Sequence, residues 1–441
     1  MPEADTCNER LAAAVTLCRE LPPEKTDMQT ETTIFDAGQI VGSQSDPVLV
    51  WEAIVNRAVS QRVSDIHILA QKDSFELAFR LDGDLHRQGI LSTAFAKHLI
   101  SHVKTMADID LGETRRPTDG RMKLSVPASS GPGNNSDRDV DLRVSTVPSI
   151  HGQDMTVRVF DHTVSLMQLD ELGMLAEQLD LTYDMLSRPH GLVLVSGPSG
   201  SGKTTTLYAM LQHLAGSTRK INTIEDPVEY DLDGANQTQV HPRIGVTFAT
   251  MLAAILRQDP DVIMVGEIRD EETAITAVRA ANTGNLVLAT THATRASRSV
   301  ETMLSLGVHP YFLAVALRGV MAQVLVKRVC PNCATALPDT ADMIIEPELQ
   351  RRLGSQEHPS LHMGSGCEKC FGTGYHGRMA VFEQFIPDDE VKQLILDRRP
   401  AVEIDQAIKD AEMLTMEQAG KLAAIKGKTT MEELVRVLPN L

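Results

Sequence analysis

The chain is poor in aromatic residues. One tryptophan, five tyrosines and ten phenylalanines make up 4% of its 441 residues. Proteins that grip single-stranded nucleic acid stack bases on aromatic rings along a basic groove. Here the rings are few and the formal net charge is −17. That balance argues against wholesale nucleic-acid binding, which needs a basic face to release counterions, and leaves room only for a local basic channel. Long apolar runs are also missing. None approaches the ~18 residues of a membrane span. The first residues, Met1, Pro2, Glu3, Ala4 and Asp5, show no basic-then-apolar signal peptide. The protein is therefore expected in the cytosol, at most peripheral to the inner membrane. The chain is too long for one core, so two or three domains are expected.

What is present is more specific. Gly197, Pro198, Ser199, Gly200, Ser201, Gly202, Lys203 and Thr204 spell the phosphate-binding pattern GxxxxGK[ST]. An apolar stretch, 192–195, precedes it. Leu207, Met210, Leu211 and Leu214 follow at helical spacing. Glycines let the backbone wrap a phosphate while successive N–H groups point inward. Lys203 brings a positive charge to the terminal phosphates, and Thr204 is suited to hold Mg²⁺. ATP and Mg²⁺ are the expected ligands. A chance glycine-rich turn would not sit between a strand and a helix.

Cysteine is scarce, yet four of the six residues form two pairs, Cys330/Cys333 and Cys367/Cys370. Cytosolic thiols stay reduced, so paired CxxC turns read as metal ligands. Two such turns close a tetrahedral Zn²⁺ site. Cys7 and Cys18 belong to no motif.

Organisation follows from periodicity. Residues 11–17 suit a short helix that Pro22 and Pro23 stop, and 26–44 read as a linker. From Pro47 to about Phe160 the pattern is α+β. Val48, Val50, Ile54, Val55 and Val59 mark a helix, and Phe75, Leu77, Phe79 and Leu81 alternate as in a half-buried strand. Asp82-Gly83 signals a hairpin. A helix is expected over 94–106 and a flexible loop over 127–137. Val140, Leu142 and Val144 face one way, and Met155, Val157 and Val159 do so on the return strand. A turn near Ile150 then sets Arg143 almost opposite Arg158. Like charges so placed destabilise a sheet unless an anion lies between them. A phosphate would serve, and so would Asp139 or Asp141. From 169 to about 325, strands at 192–195, 220–224, 262–265 and 286–289 alternate with helices such as 247–257 and 271–282, the pattern of a parallel α/β domain. The cysteine module and a helical tail complete the chain.

Two acidic clusters follow strands. Glu225, Asp226 and Glu229 come after 220–224, and Glu267 ends 262–265. Parallel strands place their carboxyl ends on one edge, where nucleotide lies. Carboxylates there converge on Mg²⁺ and on an attacking water, one orienting the metal and one polarising the water. Helix capping would account for either cluster alone. His292, past strand 286–289, suits γ-phosphate sensing or an ordinary structural role.

Taken together, these segments resemble the ATPase superfamily that powers type II secretion and type IV pilus assembly. The likeness is carried by Ser64–His67, Arg80–Gly83, Arg116–Arg121, Asp141–Arg143, Gly197–Thr206, Thr223–Tyr230, Leu256–Asp270, Gly374–Arg378 and both CxxC pairs. It implies a RecA-like phosphate-loop domain preceded by a PAS-like α+β domain, with a tetracysteine zinc module and a helical tail. The implied boundaries are 1–45 for the short helix and linker, 46–165, 166–329, 330–375 and 376–441. It implies a homo-oligomer, a hexamer, working on an inner-membrane platform protein. Glu229 is then the catalytic base and Glu267 the magnesium-shell carboxylate. Gly197 through Thr205, with Glu225 and Asp226, hold the nucleotide. Arg143 and Arg158 approach it from the N-terminal domain. The zinc module points to assembly or secretion rather than pilus retraction. The chain departs from the family pattern at Asn285 (His), Ala253 (Arg), Gln153 (Glu) and Thr294-Arg295 (Asn-Asp), and the region before the PAS-like domain is expected to be short. The competing readings are a RecA-like nucleic-acid translocase and a nucleotide-gated scaffold that barely hydrolyses.

Overall fold

The computed structural model describes residues 40–41, 46–126, 138–161, 167–337, 347–353 and 359–438. The expected helix at 11–17, the linker at 26–44, the loop at 127–137, Cys7 and Cys18 lie wholly or almost wholly outside them. The chain divides into two compact units at Ser165/Leu166.

Among the described residues the first unit is a seven-stranded sheet with two helices. Its strands are β1 (Ile40–Val41), β2 (Asp65–Ala70), β3 (Ser74–Leu81), β4 (Asp84–Ser92), β5 (Thr118–Val126), β6 (Arg138–Ser149) and β7 (Gly152–Asp161), in the order β1-β4-β3-β2-β7-β6-β5. Helix Pro47–Ser60 begins at Asp46, whose carboxylate accepts from the Val48 N–H. It buries Trp51, Ile54, Val55, Ala58 and Val59, whereas Val48 is 41% exposed. The buried face is thus turned from the one expected, because the single tryptophan claims the core. Alternate residues Phe75, Leu77 and Phe79 meet Val140, Leu142, Val144, Met155 and Val157 in one cluster. Asp82 and Gly83 both take positive φ in the β3–β4 hairpin.

The second unit is built on β8 (Gly191–Ser196), β9 (Ile221–Glu225), β10 (Ala235–Gln239), β11 (Val262–Val265), β12 (Leu286–Thr291), β13 (Leu317–Val329) and β16 (Tyr375–Phe385), in the order β10-β9-β11-β12-β8-β13-β16. The first six run parallel; β16 is antiparallel to β13. Strands β8, β11 and β12 are buried on both faces, which is why they read as largely apolar runs. Leu192, Leu194, Ile263, Val265, Val287 and Ala289 face one core, while Val193, Val195, Val262, Met264, Leu286 and Leu288 face the other. The phosphate-loop helix, Lys203–Ala215, covers the second face with Leu207, Tyr208, Met210, Leu211 and Leu214. Helices Phe248–Ile255 and Glu271–Asn282 cover the first.

The helical tail expected over 376–441 is present as helices between Asp389 and Val437. Ahead of them Tyr375–Phe385 is the edge strand of the large sheet, and the helices place Ile404, Ile408, Ala419, Ala423 and Leu434 in the same core as β8 and β12. The cysteines sit between β13 and β16, beside a two-stranded ribbon of β14 (Ala334–Leu337) and β15 (Leu361–Gly364).

Candidate functional site

Strand β8 ends at Ser196, and the chain turns at once into the glycine loop. Gly197, Gly200 and Gly202 have φ of +149°, +75° and +87°, a region that side chains disfavour. A Cβ on Gly197 would strike the Gln323 carbonyl and Ser201 Oγ. Gly202 stands at the N-cap of helix Lys203–Ala215, so the helix's first N–H groups open toward the loop. Gln323 of β13, 1% exposed, bolts the loop to the sheet: its amide donates to the Ser201 carbonyl at 2.7 Å and accepts from Thr206 Oγ1 at 2.8 Å. Among the described residues Ser201 Oγ is buried without a partner, and a Cβ on Gly200 would meet open space. Both features suit an anion with several oxygens. The Lys203 ammonium donates to the Gly197 and Pro198 carbonyls at 2.8 and 3.0 Å. Burial lowers its pKa, and nearby Glu267 pulls it back up. Pro198, Ser199, Thr204 and Thr205 are exposed around the loop.

Parallel order brings other residues to the same edge. Glu267 follows β11, one residue past Gly266. That turn is stitched to both neighbouring strands, because the Gly266 N–H donates to the Ile224 carbonyl at 2.8 Å and the Ile268 N–H to Thr290 at 2.9 Å. The Glu267 side chain is 12% exposed; Arg269 Nε lies 2.6 Å away and His292 Nε2 3.3 Å. His292, Glu267 and Lys203 are thus neighbours, as their places in sequence suggest.

The second acidic cluster divides. Asp226 is exposed and Glu229 half-buried, its N–H donating to the Tyr208 hydroxyl at 3.3 Å. Glu225, expected to touch the nucleotide, is 3% exposed and hydrogen-bonded within the fold. It accepts from Thr223 Oγ1 at 2.6 Å, from Gln237 at 3.1 Å and from the Tyr208 hydroxyl at closer range. Burial and this carboxylate together push the Tyr208 pKa upward. The phenol therefore stays a donor and ties the phosphate-loop helix to the Glu229 segment. Tyr208 and Gln323 lack any motif, so only tertiary structure reveals them. Asn285 stands at the start of β12, at the opposite end of that strand from His292, and its amide bonds the Pro260 carbonyl. Ala253 offers its carbonyl to the Arg257 guanidinium at 2.9 Å, and the Gln153 amide donates to Thr146 Oγ1 at 3.3 Å.

In the first unit, Arg143 and Arg158 are directly opposed, as expected. The register extends further: Arg121, Arg143, Arg158, Asp65 and Arg80 form one cross-strand row. The carboxylate beside Arg158 is Asp65, at 3.0 Å, also 3.9 Å from Arg80. Arg143 lies over the Phe160 ring, 4.2 Å from its centre. Like-charge repulsion is thus relieved partly by a strand 93 positions away in sequence.

The four cysteine sulfurs lie within 4.8 Å of one another. Cys330–Cys367 and Cys333–Cys370 are 3.8 Å apart, and Cys367–Cys370 3.6 Å. A tetrahedron with ~2.3 Å metal–sulfur bonds has edges of about 3.8 Å, so the four atoms form a metal-ready cage. Burial pushes the Cys333 thiol up to about 12. At Cys367 the burial penalty is outweighed by hydrogen bonds from Cys370 and Asn332, which bring it down to about 6.

Residues 43–436 match the family profile described as "Type II/IV secretion system protein". Among curated relatives, the type II secretion system protein HxcR of Pseudomonas aeruginosa is 41% identical over 87% of this chain and 76% of its own length. The type II secretion system ATPase E of Vibrio cholerae is 41% identical over 87% and 74%. The type IV pilus assembly ATPase PilB of Thermus thermophilus is 39% identical over 87% of this chain, which spans only 42% of that protein. Two solved structures share the fold. The Legionella pneumophila ATPase DotB has a TM-score of 0.63 at 20% identity, covering 89% of this chain and 95% of that one. The pilus retraction motor PilT with bound ADP has a TM-score of 0.55 at 23% identity, covering 87% and 96%. Among the described residues no helix is long and apolar enough to cross a membrane.

Tyr208→Phe deprives buried Glu225 of one of its two hydroxyl donors. A loss of about 1–3 kcal/mol in urea unfolding is expected. An unchanged midpoint and slope would show that the hydroxyl contributes nothing to the buried network.

Proposed function

We propose that this chain, which belongs to the type II/IV secretion system protein family, is a motor ATPase that hydrolyses ATP to drive pilin or pseudopilin assembly in type IV pilus biogenesis or type II secretion. One observation carries the reading: the glycine loop with Lys203, the Glu267 carboxylate and His292 share the carboxyl edge of one parallel sheet. When bound, ATP supplies the reacting phosphoryl group and Mg²⁺ neutralises its charge. The loop N–H groups and Lys203 would hold the phosphates, and Thr204 would supply a hydroxyl ligand to Mg²⁺. Glu267 would hold the ion through its water shell. Glu229 accepts the proton of the attacking water as general base. His292 holds the Glu267 carboxylate in place. Glu225, held by Thr223, Tyr208 and Gln237, keeps the Glu229 segment seated on the phosphate-loop helix beside the nucleotide. Asp226 remains at the edge as an outer nucleotide contact.

The working form is a hexamer that acts on an inner-membrane platform protein from the cytoplasmic side. Arg143 and Arg158 contribute to turnover. The cysteine cage holds a structural Zn²⁺, supported by its sulfur spacing and four-thiol donor set.

Lys203→Ala is expected to abolish binding of a fluorescent ATP analogue, whereas Glu267→Gln keeps binding and lowers kcat on the order of 10²-fold. Hydrolysis at the wild-type rate in the lysine variant would remove the site. Elemental analysis should find one zinc per chain, and chelation should lower the Tm, because binding free energy at such a cage is folding free energy. Metal-free protein with an unchanged Tm counts against it. Arg143→Ala and Arg158→Ala should each slow turnover much more than they lower Tm; a lowered Tm at full turnover would assign the pair to the sheet alone.

A further inference from the structure

The segment that carries His292 is short and held at both ends. Strand β12 stops at Thr291, which pairs with Ser196 at the root of the phosphate loop. Four residues later stands Arg295, the N-cap of helix Ala296–Ser305. Its guanidinium reaches two carboxylates. Nη1 donates to Glu383 of β16 at 3.2 Å and to Glu417 at 3.0 Å, and Nη2 makes a closer contact with Glu417.

Glu383 is 5% exposed and binds more than the arginine. Its carboxylate accepts from the Ala296 N–H at 2.9 Å and from the Met416 N–H at 3.2 Å. Those are the first N–H groups of helices Ala296–Ser305 and Met416–Ile425. One buried carboxylate thus joins the edge strand, the helix after His292 and a C-terminal helix. Burial raises the Glu383 pKa against the pull of these donors and of Arg295. Capping the two helices accounts for Glu383 but not for the arginine. Arg295 adds a second tie, to Glu417, from the residue that ends the His292 segment. Removing such a tie frees one end of a segment whose other end stays in the sheet.

We infer that Arg295 is a positioning residue: through Glu383 and Glu417 it fixes the short segment 292–294 so that the His292 ring stays against Glu267. Turnover at the sheet edge then depends on the seating of helix Met416–Ile425. This inference rests on the ATPase reading above.

The test is a double-mutant cycle on the full chain, measuring phosphate release over a range of Mg²⁺-ATP concentrations. Arg295→Met should lower kcat about tenfold with KM changed less than about twofold. Arg295→Lys, which keeps a charge for the carboxylates, should recover most of the rate. The double variant with His292→Ala should be no slower than His292→Ala alone, because the arginine acts through the ring. Losses in kcat that multiply, or a wild-type kcat in Arg295→Met, overturn the inference. Glu417→Gln leaves the Arg295–Glu383 pair in place and serves if Arg295→Met fails to fold. It should show a smaller loss that again vanishes in the His292→Ala background, and a multiplying loss overturns the inference equally. A wild type that releases no phosphate overturns the ATPase reading and this inference with it. Hydrolysis in the wild type with multiplying losses overturns this inference alone.

Discussion

Strands β8, β9, β11 and β12 run parallel and are covered on both faces, so the residues that follow them must emerge on one edge. All else in the second unit depends on that constraint. The loop after β8 brings Lys203, the segment after β9 brings Glu229, the turn after β11 brings Glu267 and the one after β12 brings His292. No single motif makes a site. Hydrophobic burial of alternate residues on two faces fixes the register, and the register fixes which polar side chains meet.

Polar residues inside the fold then hold the edge in shape. Gln323 joins β13 to the glycine loop, Tyr208 and Glu225 join the phosphate-loop helix to the Glu229 segment, and Glu383 joins β16 to two helix starts. Each group would cost stability if left unpaired in the core. Each is paired across elements distant in sequence, so its hydrogen bonds exist only when the surrounding elements are assembled. Folding of the apolar core and shaping of that edge are therefore one process. The C-terminal helices belong to it too, through their share of the core and through the carboxylate at Glu417.

Local signals made much of this legible in the chain. The glycine loop, strand 262–265 and helix 271–282 appear where periodicity places them, and the opposition of Arg143 and Arg158 follows from alternation plus a turn near Ile150. What escaped was non-local. Asp65 balances Arg158 from a strand far earlier in the chain. Glu225 shares a face with Thr223 by the two-residue period of a strand, which turns it toward Tyr208 instead of the loop; a carboxylate at a strand end gave no warning of this. Strand β16 pairs with β13, whose partner residues lie 46 to 65 positions back, on the far side of the cysteine module, and nothing in its own pattern separates it from the helical tail. Arg295 stood out as a departure from the family pattern, but its partners lie on two elements near the end of the chain.

The central claim is that the shared edge hydrolyses ATP with a metal ion. Its most direct measurement is inorganic phosphate released from ATP by the purified full chain, with Mg²⁺ present and with Mg²⁺ withdrawn by chelation in the assay. Steady release that needs Mg²⁺ and saturates with ATP is the result this account predicts. Saturable ATP binding with no phosphate released, in the presence of Mg²⁺ and a membrane partner, would contradict it and leave a nucleotide-gated scaffold in its place.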